Sequence, residues 1–172
     1  MEKIHFTTIL TKFPNSTLWG WHFLVPEDIA KTYVNGKDRR VICTINDHLT
    51  IHCALMPSKD AWFVTMNQTN VKKLNLGPNS EINVLISKDT SEYGMPIADE
   101  FREVLDQEPL ADKYFHALTP GKQRTLLHII NTVKNTESRI KKSLAIADHI
   151  VTNKGTINYK LLNEAFKEYN KM

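Results

Sequence analysis

Residues 39–55 read RRVICTINDHLTIHCAL, two runs rich in β-branched residues on either side of Asn46-Asp47. Asn and Asp tolerate the left-handed backbone of a tight turn, so the stretch predicts an antiparallel hairpin. A two-residue turn pairs Ile45 with His48 and Cys43 with Thr50. That register puts Ile42, Thr44, Leu49, Ile51, Cys53 and Leu55 on one face, the expected interior. Val41, Cys43, Ile45, His48, Thr50 and His52 fall on the other. Cys43 and Cys53, the chain's two cysteines, then point to opposite faces, and no disulfide is expected between them.

The same period of two extends outward through residues 1–95. Strands are expected at about 3–11, 17–25, 39–46, 48–56, 61–67 and 81–88, with short helices in VPEDIAKTYVNG and QTNVKKLNLGP. Six strands joined by short connections imply a small barrel, closed or nearly so, because an open sheet would leave more edge to protect. Near Pro96 the period becomes helical. Ile97, Phe101, Val104 and Leu105 share a face, Thr119-Pro120 opens a second helix, and Leu126, Ile129, Ile130 and Val133 form its stripe. A last helix carries Leu161, Leu162, Ala165, Phe166 and Tyr169, and ahead of it a helix is expected from about 135 to 153, stopped by Gly155. On its wheel Ile140, Leu144, Ala147 and Val151 make the stripe expected to be buried, while Arg139, Lys141 and Lys142 spread over the wet side. The chain therefore divides into a β-barrel part, 1–95, and a helical part, 96–172.

With 172 residues, 41 % hydrophobic and 24 % charged, the chain can bury a core. Its apolar runs fall short of a bilayer crossing, and its N-terminus lacks a signal peptide's apolar stretch, so cytoplasmic residence without membrane insertion is the expectation. The net charge is +3 overall, but residues 96–118 carry −4 and residues 119–172 carry +6. These acidic and basic segments are expected to attract each other or a partner's surface.

Candidate chemistry is sparse. In LWGWHF, Trp19, Trp21 and Phe23 share a strand face that could stack a base or fill a barrel, and packing is the commoner use. Cys43, His48 and His52 offer a sulfur and two imidazoles, but their spacing is not a usual metal-ligand one and no fourth ligand is evident. No metal and no cofactor are expected. Arg39-Arg40, Lys72-Lys73 and the trio Arg139, Lys141 and Lys142 are the basic candidates for a binding surface. Phosphate loops, dinucleotide fingerprints and nucleophile elbows are not found, and no catalytic residue is assigned.

Several segments resemble one family: GWHFLVPEDIA, RRVICTIN, CALMPSKDAWFVTMN, KKLNLGPNSEINVLISKDTSEYGMP, and LTPGKQR with SRIKKSL. They are similar to the bacterial YdeI/OmpD-associated, or bacteriocin-protection, proteins, in which a β-barrel domain of unknown function precedes a helical segment. The resemblance implies an α+β chain with a six-stranded pseudo-barrel of the double-split, AbrB-like type followed by helices. It would place glycine at Asp47 and Gly-Asp at Asn79-Ser80. The expected function is a non-enzymatic binding or interaction module with a protein partner, as a monomer or homodimer, and the family label adds a connection to envelope stress or antimicrobial-peptide protection. Two alternatives stand beside it: nucleic-acid binding through the basic surface, and a hydrolase with a pocket between barrel and helices.

Overall fold

The computed structural model describes residues 2–14 and 20–172. The chain forms two compact units, Met1–Thr90 and Ser91–Met172. The division lies ahead of the change of period at Pro96 because Tyr93 is buried in the helical core, its ring packed edge-on to Phe115 at 5.5 Å. Among the described residues no helix is long and apolar enough to cross a membrane.

The first unit contains β1 (Lys3–Lys12), β2 (Trp21–Val25), α1 (Glu27–Tyr33), β3 (Arg40–Ile45), β4 (Leu49–Ala54), β5 (Met56–Pro57), β6 (Trp62–Met66), α2 (Gln68–Lys73) and β7 (Glu81–Lys88). The strands form one curled antiparallel sheet in the order β4-β3-β7-β1-β2-β6-β5. Among the described residues there are seven strands rather than six, because the expected run 48–56 breaks at Leu55 into β4 and β5. These two strands end the sheet on opposite sides, yet one residue separates them. Two peptide steps hold Ala54 and Met56 within about 7.6 Å of each other. The sheet must therefore curl until its ends meet, and Leu55, fully buried, sits at the join. Its N–H donates to the Arg39 carbonyl at 2.9 Å, so the break leaves no orphaned donor there.

The hairpin corrects the expected register. Asn46 and Asp47 do adopt left-handed conformations, φ 50° and 58°, and the His48 N–H donates to the Ile45 carbonyl at 3.1 Å. His48 then bulges out of the ladder, so Ile45 pairs with Leu49, Cys43 with Ile51 and Val41 with Cys53. This one-residue slip turns β3 over. Val41, Cys43 and Ile45 are fully buried, while Ile42 and Thr44 take the outer face. The gain is physical: both strands now send their apolar set inward, each large side chain contributing about 1.5–3 kcal/mol on burial. Asn46 also ties the turn to β7, its backbone N–H donating to the Asn83 carbonyl and its side chain accepting the Asn83 N–H, both at 2.8 Å. Cys43 and Cys53 consequently face the same interior, their sulfurs 3.6 Å apart, contrary to the expectation of opposite faces. Asn79, where the family resemblance places glycine, takes φ 63°.

The second unit is five helices: α3 (Asp99–Gln107), α4 (Pro109–Ala117), α5 (Pro120–Asn131), α6 (Thr136–Thr152) and α7 (Tyr159–Lys171). Pro109 separates α3 from α4, since it has no N–H to continue the first helix and is suited to begin the next. Thr119 caps α5 by accepting the Lys122 N–H, and Asn135 caps α6 by accepting that of Ser138. Gly155 ends α6 at φ 82°, its N–H donating to the Ile150 carbonyl at 2.7 Å. A side chain there would meet the Tyr114 ring at 3.1 Å.

Truncating the join tests the closure. Leu55→Ala is expected to destabilise the chain by about 2–5 kcal/mol in urea unfolding, the range for a fully buried leucine. A loss below about 1 kcal/mol would mean that the join is not a packed position.

Candidate functional site

Helix α6 carries two apolar stripes, and only one is buried. Ala145, Ile146 and Ile150 are fully enclosed by the helical core, with Ser143 beside them. The stripe expected to be inside, from Ile140 to Val151, is rotated toward the surface: Ile140 is 42 % and Leu144 40 % exposed, Val151 is half-buried, and Ala147 alone of the four is buried. On a helix, residues four or three apart stack on one face, so these four form a continuous strip.

This strip is one wall of a groove against α3. One part, about 480 Å³, lies between Ile140 and Leu144 and the α3 residues Asp99, Glu103, Val104 and Gln107. An adjoining part, about 210 Å³, shares Val104 and Leu144 and continues past Glu108, Ala147 and Asp148 to Tyr169 of α7. Glu100 also borders the first part. No lysine or arginine lines either part among the described residues. The groove thus has an apolar floor and an acidic rim.

The basic candidates lie elsewhere. Arg139 projects from the start of α6 into a set of acceptors. Its Nε and Nη2 donate to Glu100 Oε1 at 2.9 and 2.7 Å, and its Nη1 donates to the Val133 and Lys134 carbonyls at 3.2 and 2.9 Å. It clamps α3 to the turn before α6. The attraction expected between the acidic and basic segments is realised here, and the Arg139 guanidinium holds the Glu100 carboxyl below its ordinary value. Lys141 pairs with Glu137 at 2.9 Å, and the Lys142 ammonium lies 4.1 Å from the centre of the Phe166 ring. Each member of the trio is thus engaged within its own unit.

In the first unit, Arg39 lies over the Trp62 ring at 5.8 Å, and the Arg40 carbonyl accepts the Asp89 N–H at 3.2 Å. Lys72 and Lys73 end α2, with Lys73 beside Asn46 and His48. The two basic pairs thus stand at opposite ends of β3, separated by about 20 Å at the usual strand rise, and the sheet does not bring them together. Trp21 is buried and donates its indole N–H to Gln68 Oε1 at 2.9 Å, and Phe23 is fully buried, so both fill the sheet interior. Trp19 lies outside the described residues. Cys43, His48 and His52 do not converge: Cys43 faces inward, whereas His52 faces outward with its Nδ1 2.9 Å from Asp89 Oδ2.

A polar cluster gathers around Glu92 and Tyr93. The Tyr93 hydroxyl lies 2.9 Å from both Glu92 Oε1 and His116 Nε2, while Arg102 Nη2 donates to Glu92 Oε2 at 3.2 Å. Burial first, and the bond to Glu92 second, push the Tyr93 hydroxyl up to about 12. A phenol so strongly protonated is a poor base at neutral pH, and the cluster's evident work is to pin residues 91–95 to the helices. Its members come from two helices and a loop, so only folding assembles them.

Residues 95–153 match the family model described as Bacteriocin-protection, YdeI or OmpD-Associated. The helical unit is thus similar to the YdeI/OmpD-associated proteins over α3 to α6. Residues 6–86 match the model of a domain of unknown function, DUF1905, ahead of the first match in sequence. No curated protein matches the chain. The matched helical segment contains α3 and α6, and hence both long walls of the groove together with the Arg139 clamp.

The clamp has a pH signature. Because Glu100 is held below its ordinary value of 4.5, its pairing stabilises the fold above that pH and the contribution is lost as pH falls through the lower folded value. Arg139→Ala is expected to lower the melting temperature at neutral pH and to narrow its deficit on acidification below about pH 4. A deficit independent of pH would show that the guanidinium acts only through the two backbone carbonyls.

Proposed function

We propose that the chain is a non-enzymatic binding module whose YdeI/OmpD-associated unit captures a basic amphipathic peptide segment in the groove between α3 and α6. The observation that carries this reading is the exposed strip Ile140–Leu144 beside the carboxylates of Asp99, Glu103, Glu108 and Asp148. An amphipathic helix seats its apolar row in such a groove and presents its cations to the rim. Desolvating the strip supplies affinity, and the rim supplies on-rate and rejection of acidic partners. The family description, which names bacteriocin protection, supports a peptide as the ligand, and connects the module to antimicrobial-peptide protection.

The test is a titration of the full chain with a fluorescent helical peptide of leucine and lysine, beside a leucine and glutamate counterpart and a short DNA duplex. Salt-sensitive binding of the basic peptide alone is expected. Glu103→Lys with Asp148→Lys should weaken it by at least about tenfold, and Leu144→Asp should do the same, with helix content unchanged. Equal binding by the charge-reversed variant would remove the groove from the account. Preference for the duplex would favour the nucleic-acid reading instead.

A further inference from the structure

The first unit holds a second chemical feature, independent of the groove. Cys43 sits in the middle of β3 and Cys53 near the end of β4, which is one end of the sheet order. The bulge at His48 sends both side chains inward. Their sulfurs are 3.6 Å apart and both cysteines are free. Backbone pairing of Val41 with Cys53 and of Cys43 with Ile51 holds the two Cα atoms as diagonal neighbours. A disulfide needs about 2.05 Å between sulfurs, so the sulfurs must close by about 1.5 Å; diagonal neighbours stand about 7–8 Å apart at Cα, so β4 must also draw slightly toward β3, and the resulting strain makes the bond easy to reduce.

We propose that Cys43 and Cys53 form a reversible intramolecular disulfide under a peroxide-class oxidant, joining β4 to β3. The two thiols have unequal roles because their exposure is unequal. Cys43 is fully buried and Cys53 half-buried on the end strand, so the oxidant meets Cys53 first. The hydrogen bond from Cys53, and then burial, push the Cys43 thiol well up, which keeps it protonated until its partner has reacted. The Cys53 thiolate attacks one peroxide oxygen; the O–O bond breaks, a sulfenic acid forms, and the departing hydroxide takes up a proton to leave as water. The Cys43 sulfur then attacks the sulfenic sulfur, the S–O bond breaks, and the hydroxide leaves as water with the Cys43 proton. Two thiols have lost two electrons to the peroxide, and a dithiol reductant reverses the step. The bond fastens the strand whose continuation through Leu55 closes the sheet.

The experiment uses the full chain treated with hydrogen peroxide and mapped by mass spectrometry without reduction. Trypsin leaves both cysteines in one fragment, so cleavage before Asp47 is needed to separate them. Two fragments held together until reduction, in a monomeric chain, are the expected result. In Cys43→Ser a sulfenic acid should persist on Cys53 and be trapped by dimedone, whereas Cys53→Ser should leave Cys43 unoxidised. Phenylarsine oxide, which bridges neighbouring thiols, provides a readout on the unaltered chain: one equivalent should protect both cysteines from alkylation. Protection of one cysteine only, sulfinic acid on Cys53 without a bond to Cys43, or linkage solely between chains would overturn the proposal.

Discussion

Two strands at opposite ends of a sheet, separated in the chain by one residue, leave the sheet little freedom. Leu55 joins β4 to β5, and the five strands between them in the sheet order must arch so that the ends can meet. Most of the first unit follows from that requirement. The concave side becomes an enclosed interior, and Leu10, Phe23, Val64, Ile82, Val84 and Ile86 fill it. Strand β1 serves both halves, pairing with β7 through Ile9 and with β2 from Leu10 onward. The bulge at His48 belongs to the same economy. Without it, Thr44 would face the interior and Val41 the solvent.

The helical unit rests on a different device. Arg139 draws a carboxylate from α3 and two carbonyls from the preceding turn onto one guanidinium, a task suited to its rigid fork of donors. This fixes how α6 is rolled about its axis. The roll sends Ile146 and Ile150 into the core and leaves Ile140 and Leu144 at the surface beside α3. The groove and the clamp are thus consequences of one orientation. The basic run around residue 139, which suggests a phosphate-binding surface when read linearly, is largely consumed in building that orientation.

Legibility in the sequence followed locality. The long strands β1 and β7 were plain from alternation, as was the cap of α5 at Thr119-Pro120, because each depends on neighbours within a few residues. Asn46-Asp47 was correctly a left-handed turn, but the bulge that follows it was not legible, since it is decided by which faces of β3 and β4 find apolar partners across the sheet. The break at Leu55 escaped for a similar reason: nothing in HCALMP marks it, and only the partners on either side distinguish β4 from β5. Of the candidate site, the Ile140–Val151 stripe was visible by its spacing. Its exposure was not, because Ile146 and Ile150 compete for the same core and periodicity cannot rank two stripes on one helix.

By itself the sequence determined most of the strands and helices in order, the change from one kind to the other, and the family that the helical part resembles. These depend on local backbone preferences and on the period of apolar residues, which are written in adjacent positions. Tertiary structure alone decided the hairpin register, the meeting of Cys43 and Cys53, and the roll of α6 that opens a groove and occupies Arg139. Each is a choice among locally equivalent states, settled by contacts between residues distant in the chain or on opposite strands, where a single step of register or a rotation of a helix exchanges one buried face for another.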